Sequence, residues 1–569
     1  MIVAKVKVDV ITAIYNAETT IEETVRSAMH QEIPPNLIHR LLLQLPAVLS
    51  TNNTQLRRRI HFDICICCYD DASTDNSMAV LSSLEKVTNW EGASSDANED
   101  TDSEIVTIRT RLLIGSAPIG TSSRGAGYAR NQAVKLRDDN DIENVTNDDK
   151  ITEGQEHEQL HFLCILDSDD IMHSTRIAEQ TCAMLSLGAE QREKMLMGCQ
   201  FDRIPKDSTN HYSQWANSLS DERLYLEKFR ECTLIQPTWF LSKACFERIG
   251  GYLEAPTLDD DLVPSKRPKL CSESLESDDD NVLSALDSNG SNSHSYRLVH
   301  PSEVLDSTIN NDVHPWEKRT LGSCHEKAIN TLRLAEDTRF FYAHLHAGGR
   351  LYLHRTPTPL LSYRHRAGMS QSSSTPRKLL LKLRAKAWED LIFYSTKSGE
   401  AYDNTIWSGG FVIWGAGRDG KDFLKALSPP VASKVICFVD VDQKKIETTK
   451  WYENPTLGNR RIPILHFSVL AKRDVSGEVK FGHIDKKRCG EDQFSLVSVQ
   501  RIESNDRIHA PENNENDKNK KPSASTIEPE VLQQLPVVVC VAMYRSNGAL
   551  ESNVASIGRT EGVDLWHIS

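Results

Sequence analysis

Three carboxylates stand within four residues at Asp167-Ser168-Asp169-Asp170, directly after an apolar run over 162–166. Carboxylates this close repel one another unless a cation sits among them. Magnesium or manganese prefers such oxygen ligands and shares them with substrate phosphates. The plain alternative is a solvated acidic loop that caps the next helix. A second acidic loop, Asp70-Asp71-Ala72-Ser73-Thr74-Asp75, follows another apolar run. Its side chains either cap the next helix or place a carboxylate where it accepts the N3 hydrogen of a uracil base. Gly125-Ala126-Gly127-Tyr128-Ala129-Arg130-Asn131 lets backbone approach closely and opens a helix, whose start attracts phosphate. Arg130 and Asn131 either serve that site or brace neighbouring loops. Glu336-Asp337 reads as favourable acids at a helix start.

The elements that carry these residues alternate. Strands are predicted over 6–14, 61–68, 105–109 and 162–166. Helices are predicted after the capping box Thr19-x-x-Glu22, over 75–85 and over 127–136. That order predicts an α/β domain with a mostly parallel sheet, over 1–397. The acidic loops then fall at the carboxyl ends of strands, where open α/β sheets bind ligands. Acidic stretches near 92–103, 138–158 and 253–332 read as solvated insertions. A second unit over 409–569 starts with a strand at 411–414, the loop Gly415-x-Gly417-x-x-Gly420 and a helix over 421–427. A strand at 435–439 runs into Asp440, a polar insertion covers 472–530, and 536–541 is a late strand. The pattern matches a dinucleotide-binding unit, but no partner catalytic residues for an oxidoreductase stand out. The expectation is a Rossmann-like domain without a nicotinamide cofactor.

The 569 residues carry a net charge of −14, with 39% hydrophobic and 26% charged residues, which suits a multidomain globular chain. The acidic total excludes nonspecific polyanion binding by the whole molecule. A local exception is 377–397, where Arg377, Lys378, Lys382, Arg384, Lys386 and Lys397 oppose only Glu389 and Asp390. Leu379, Leu380, Leu383, Ala387 and Leu391 supply an apolar face, so the charges are expected to point outward. They either grip the phosphates of an RNA or form an ordinary solvated face. The 13 cysteines suit buried thiols in a reducing compartment. Neither a secretory signal nor a membrane span is visible, so the reading is cytoplasmic, with no membrane partner. Lys266-Arg267-Pro268-Lys269 is similar to a short nuclear import signal.

The serial order of the motifs is more specific than any one of them. Ala13-Ile14-Tyr15-Asn16, Asp70-Asp71-x-Ser73-Thr74-Asp75, Ala129-Arg130-Asn131, Asp167-x-Asp169-Asp170, Gln236-Pro237-Thr238-Trp239, Gly250-Gly251-Tyr252 and Ala335-Glu336-Asp337 together resemble family-2 glycosyltransferases of the GT-A fold. The resemblance implies donor contacts from Ala13, Tyr15, Asp71, Arg130 and Asp167, with Asp71 at uracil. It implies Mn2+ or Mg2+ held by Asp169 with Asp167 beside a diphosphate. Asp337, with Glu336 next to it, is implied as the catalytic base. The segments around Tyr363-Arg364-His365, Trp414-Gly415-Ala416-Gly417, Phe438-Val439-Asp440 and Leu565-Trp566-His567 extend the likeness to both units. There the chain resembles the cytosolic N-acetylglucosaminyltransferase-like family understood as queuosine-tRNA galactosyltransferase. That resemblance implies galactose transfer from a UDP-sugar to queuosine in tRNA. The competing readings are a UDP-N-acetylglucosamine transferase acting on a glycan and a catalytically inactive RNA-binding scaffold. The long insertion after Tyr252 departs from the family's compact form.

Overall fold

The computed structural model describes residues 2–44, 58–88, 105–143, 160–254, 333–366, 375–394, 396–397, 400–401, 405–455, 460–471, 529–541 and 548–568. The chain divides into two compact units near residue 404. The expected insertion at 92–103, most of those at 138–158, 253–332 and 472–530, and the import-like tetrapeptide at 266–269 lie outside the described residues; residues 529 and 530 of the last begin the helix Pro529–Leu532.

The first unit is built on β1 (Ile2–Ile14), β2 (Arg58–Asp70), β3 (Ile105–Ser116), β4 (Leu160–Ile165), β5 (Ile171–Met172), β6 (Met195–Cys199), β7 (Phe201–Ile204), β8 (Phe240–Ser242), β9 (Arg350–His354) and β10 (Leu361–Arg364). Seven of these form one sheet in the order β3-β2-β1-β4-β8-β6-β9, and β5-β10-β7 form a small second sheet. All neighbours in the large sheet are parallel except those of β8, which is antiparallel to β4 and β6. The predicted α/β architecture with a mostly parallel sheet is therefore what the chain adopts. The sheet is buried on both faces, which is why its strands read as nearly continuous apolar runs. Val6, Val8 and Val10 pack with Ile60, Phe62 and Ile64, and the helix Ile21–Met29 adds Ile21, Val25 and Ala28.

Several boundaries differ from the sequence reading. The helix start at residue 20 is not closed by a capping box: Thr20 is the N-cap, its side chain makes no cap bond, and its hydroxyl reaches the carbonyl of Ser168 at 3.0 Å. The helix expected over 127–136 runs Ala126–Glu143, so the first residues of the supposed insertion at 138 are helical. The helix Pro35–Gln44 was not foreseen; it buries Leu37, Leu41 and Leu42.

Charged side chains also lie in the core. Asp9, in the middle of β1, is buried, and charge buried without a partner is costly. It lies 2.7 Å from Arg137 Nη1 and 2.6 Å from His161 Nε2, while Arg137 Nη2 also pairs with Asp63 of β2. Burial works against its charge, but His161 and Arg137 hold the Asp9 carboxyl below the usual range. The charges are thus satisfied across three strands and the helix Ala126–Glu143. Every described cysteine is free and buried.

The first unit also holds the helix Arg377–Trp388, continued by a π-helical turn Glu389–Phe393, and the short hairpin of β11 (Thr396–Lys397) and β12 (Glu400–Ala401). The second unit contains β13 (Phe411–Trp414), β14 (Val435–Asp440), β15 (Trp451–Glu453), β16 (Arg461–His466), β17 (Val537–Val539) and β18 (Leu565–His567). They form one sheet in the order β15-β16-β14-β13-β17-β18, parallel except for β15. The helix expected over 421–427 is Arg418–Ala426. Gly420 is required by packing, since a Cβ there would meet Gly415 O at 1.9 Å.

Candidate active site

In the large sheet the chain lays down β1, β2 and β3 in one direction and then crosses back to place β4 on the other side of β1. The carboxyl ends of β1 and β4 therefore flank a switch in strand order, the position where open α/β sheets bind ligands. Ala13 lies near the carboxyl end of β1, opposite Tyr69 of β2, and Tyr15 just beyond the strand is half exposed. Asn16 has a left-handed φ of 52°, and Ala72 and Ala335 follow suit at 62° and 55°. Such backbone is costly for non-glycine residues and persists where surrounding structure over-determines it. Here Asn16 Oδ1 accepts from Thr74 N at 2.8 Å and its own N–H donates to Ser73 Oγ at 2.9 Å. The Ser-Thr-Asp loop is thus tied to the end of β1.

Asp71 is buried at the end of β2 and its carboxylate is already engaged. Ser123 Oγ donates at 2.6 Å, Arg124 N at 2.9 Å and Gly125 N at 2.7 Å. In this conformation Asp71 closes the loop that opens the helix Ala126–Glu143, a bracing role the sequence did not reveal. Gly125 has φ +98°, and Gly127 allows close packing: a Cβ there would sit 3.2 Å from Tyr252 Cβ and 3.3 Å from Glu336 Cβ.

Arg130, one turn into that helix, gathers the site. Its buried guanidinium donates to Asp167 Oδ1 at 2.7 Å and to Glu336 Oε1 at 2.8 Å, and lies 5.5 Å from the Tyr252 ring centre. Asn131 clamps the Tyr252 backbone in both directions, donating to its carbonyl at 2.8 Å and accepting its N–H at 2.9 Å. Both residues, left open by the sequence between site and brace, hold two remote segments together.

The acidic loop after β4 is less concentrated than its spelling implies. Asp170 turns into the protein, is fully buried, and accepts Arg364 N at 2.8 Å. It does not join a three-carboxylate cluster. Among the described residues, the one trio of ligand-type side chains close enough to share a metal is Asp9, Cys65 and Cys67, where Arg137 and His161 already neutralise Asp9. Asp167 and Asp169 remain at the sheet edge, each about a quarter exposed, at 27% and 28%. Burial and the neighbouring Asp167 push the Asp169 carboxyl up to about 6, against the pull of Arg366. Arg366 Nε lies 3.3 Å from Asp169 Oδ2. A carboxylate whose ionisation is held back by a like charge beside it suits a divalent cation, which would take its other ligands from water and phosphate. The donor set fits Mn2+ or Mg2+.

Arg364 and Arg366 were not assigned roles from sequence. Arg364 donates to the carbonyl of Asp169 at 2.8 Å and to Glu23 Oε2 at 2.7 Å, and Arg366 donates to Thr20 Oγ1 at 2.7 Å. Only the return of β10 beside the acidic loop brings them there; two arginines flanking one histidine were the sole local signal.

Glu336 and Asp337 begin the helix Glu336–His346. That helix is seated by aromatic packing: Phe340 lies 5.4 Å from Trp239, 4.8 Å from Tyr252 and 5.7 Å from Phe246, centre to centre. Asp337 Oδ1 accepts Thr338 N at 2.6 Å and Thr338 Oγ1 at 3.2 Å. Burial first, then the charge of Glu336, pushes the Asp337 carboxyl up to about 7.

The basic helix departs from expectation. Leu381, Ala385 and Trp388 are buried as well as Leu379, Leu383 and Ala387. Arg384 is buried and lies 3.3 Å from Glu231 Oε2, so it is turned inward. Arg377 and Lys378 are exposed, and Lys382 and Lys386 are partly so. The reason is geometric: buried positions on three sides leave a charged stripe narrower than the composition suggests.

In the second unit, Asp440 Oδ2 accepts Ala416 N at 2.9 Å and Lys445 Nζ at 2.6 Å. The carboxylate that a dinucleotide's ribose would need is committed to the glycine loop and a lysine.

No protein-family model matches the chain. Among solved structures the chain is similar to S. aureus TarS 1-349 in complex with UDP-GlcNAc, at 13% identity over 76% of this chain and 84% of that one, with a TM-score of 0.35. It is similar to GalNAc-T7 with UDP, GalNAc and Mn2+ at 12% identity over 68% and 49% of the two chains, TM-score 0.30. It is also similar to the mannosyltransferase PcManGT from Pyrobaculum calidifontis in complex with GDP-Man and Mn2+, at 14% identity over 60% and 73%, TM-score 0.22.

Proposed function

We propose that the first unit is an inverting, metal-dependent hexosyltransferase of the GT-A type that uses a UDP-sugar donor. The observation that carries this reading is the Arg130 bridge, which ties the acidic loop after β4 to the start of the Glu336–His346 helix. It supports the reading by bringing the acidic loop proposed to hold the cation beside the helix start that carries Asp337. The acceptor hydroxyl attacks the anomeric carbon, forming the new C–O bond. The bond to the donor diphosphate breaks, and its electron pair leaves with the phosphate oxygen. Asp337 takes the acceptor's proton, and its carboxyl at about 7 matches that task near neutral pH. Glu336 stays paired with Arg130 and orients the helix start. A divalent cation held by Asp167 and Asp169 would supply charge stabilisation for the departing diphosphate. Arg366 beside Asp169 supplies a second positive group for the same phosphates.

The finer reading is galactose transfer to queuosine in tRNA. Its support is the motif resemblance across both units together with the exposed and partly exposed charges of Arg377, Lys378, Lys382 and Lys386. Purified protein incubated with individual UDP-hexoses, Mn2+ and queuosine-containing tRNA, then analysed by nucleoside mass spectrometry, tests it. A hexose added to queuosine with UDP-galactose supports the reading. Transfer from UDP-N-acetylglucosamine to a glycan alone overturns the acceptor and donor assignments. Failure to turn over any UDP-sugar with any acceptor, with UDP bound or not, overturns the transferase reading in favour of an inactive scaffold.

A further inference from the structure

Asp337 is gripped by its neighbour, and the neighbour is gripped in turn. Thr338 donates to Asp337 Oδ1 through both its backbone N–H, at 2.6 Å, and its hydroxyl, at 3.2 Å. The thiol of Cys232 donates to Thr338 Oγ1 at 3.6 Å, from a loop 106 residues away in sequence. Both Thr338 and Cys232 are buried. We infer that Thr338 and Cys232 are positioning residues for the base, forming a directed chain from thiol to hydroxyl to carboxylate that fixes the Asp337 rotamer.

The direction of the chain follows from donor counting. A threonine hydroxyl has one hydrogen and two lone pairs. An ionised carboxylate only accepts, so the hydroxyl hydrogen goes to Asp337. The hydroxyl then presents a lone pair to Cys232, which must supply the hydrogen. Burial pushes the Cys232 thiol well above its ordinary range, with Asp337 and Glu231 adding to the effect, so it stays protonated and remains a donor. The described bonds to Asp337 all fall on Oδ1, which leaves Oδ2 as the oxygen that takes the acceptor's proton. The loop bearing Cys232 is anchored at the same helix by Tyr342, whose hydroxyl donates to Lys228 O at 2.9 Å.

The charged groups that act on Asp337 come from three elements. Glu336 on its own helix and Glu231 on the Cys232 loop raise its carboxyl, and Arg130 on the Ala126–Glu143 helix lowers it. Arg384 on the Arg377–Trp388 helix acts on Glu231. Against these, the Thr338 backbone N–H favours the ionised form, and a hydroxyl that donates to the same oxygen acts in the same sense.

This inference rests on the transferase reading for its kinetic arm and is independent of it for its spectroscopic arm. Thr338→Val keeps the side-chain shape and removes the hydroxyl. A hydrogen bond to a charged group is worth enough that kcat should fall about tenfold, with the KM for donor little changed. The acid limb of the pH profile should move to higher pH, because the ionised form has lost a donor. Thr338→Ser should recover most of the loss, and Cys232→Ala should show a smaller shift in the same direction. In parallel, the 13C carboxyl titration of Asp337, assigned with Asp337→Asn, is followed in wild-type, Thr338→Val and Cys232→Ala protein. An upward shift in the variants supports the chain whether or not a substrate has been found. An unmoved titration overturns it, and if Thr338→Val does not fold, Cys232→Ala is read by the same criterion. Absence of any sugar transfer by the wild-type protein would instead sink the transferase reading.

Discussion

Arg130 Nη1 lies 2.8 Å from Glu336 Oε1 across 206 residues of sequence. The other end of the same guanidinium holds Asp167, so one buried cation serves two carboxylates from opposite sides of the site. Arginine suits this role because its planar fork stays charged and offers several donors in fixed directions. Removing one partner of a buried pair leaves the other charge uncompensated, at a cost of about 3–5 kcal/mol. Arg130→Met should therefore lower the denaturation midpoint markedly and abolish turnover. Adding Glu336→Gln to that variant should restore part of the stability, and none of the activity. A double variant no more stable than the single one would refute a direct coupling.

The base has a pH signature. The Asp337 carboxyl is pushed up to about 7, so the group is protonated and inactive below that value. Turnover should rise with pH through about 7 and level off above it. The folded protein binds this proton more tightly than the unfolded chain, whose carboxyl has an ordinary low value. Its contribution to stability is thus lost as pH rises toward 7. Asp337→Asn should abolish transfer, keep UDP binding in calorimetry, and unfold at a higher temperature than the parent at pH 8. Near-normal turnover in this variant would reassign the base to Glu336 or another carboxylate.

Cation dependence is expected to centre on two side chains rather than three. Asp169→Asn should lose most turnover, as should treatment with chelator, and added Mn2+ should restore the chelated parent but not the variant. Asp170→Asn should instead act on folding, since Asp170 is buried and accepts Arg364 N at 2.8 Å. Comparing metal titrations by tryptophan fluorescence with thermal melts separates the two. Full activity in chelator would rule out the cation site.

The basic helix splits into two classes. If tRNA is the acceptor, its apparent KM should rise steeply with salt, because binding releases counterions from phosphates. Reversing Arg377, Lys378, Lys382 and Lys386 to glutamate should flatten that dependence and leave donor KM unchanged. Arg384→Glu should chiefly destabilise the fold, because the side chain is buried against Glu231 at 3.3 Å. A salt-insensitive KM for tRNA in the parent protein would exclude this surface from acceptor binding.

Gly127 gives a steric test. A methyl group there meets Tyr252 Cβ and Glu336 Cβ at 3.2 Å and 3.3 Å. Gly127→Ala should push the Glu336 helix start outward by a few tenths of an ångström and reduce kcat, while the exposed Gly188→Ala, which meets nothing within 4 Å, should have no effect on rate.

Local pattern alone determined that this chain alternates strands and helices, that its sheet is mostly parallel, and that Asp71, Arg130, Asp167, Asp169 and Asp337 fall at element ends. Those properties follow from periodicity and from the way a strand delivers its last residue to the sheet edge, both short-range effects. Tertiary structure alone decided which of those residues meet. It turned Asp170 and Arg384 inward, occupied Asp71 with the 123–125 loop, and brought Arg364 and Arg366 from β10 to the acidic loop. It also set Thr338 and Cys232 behind Asp337. Side-chain direction and partnership depend on packing between segments far apart in sequence, and no local pattern encodes that distance. An isolated run of charges reads the same whether its cations face water or a buried glutamate; the neighbouring helices and loops settle the difference, because each buried charge must find its counter-charge in three dimensions.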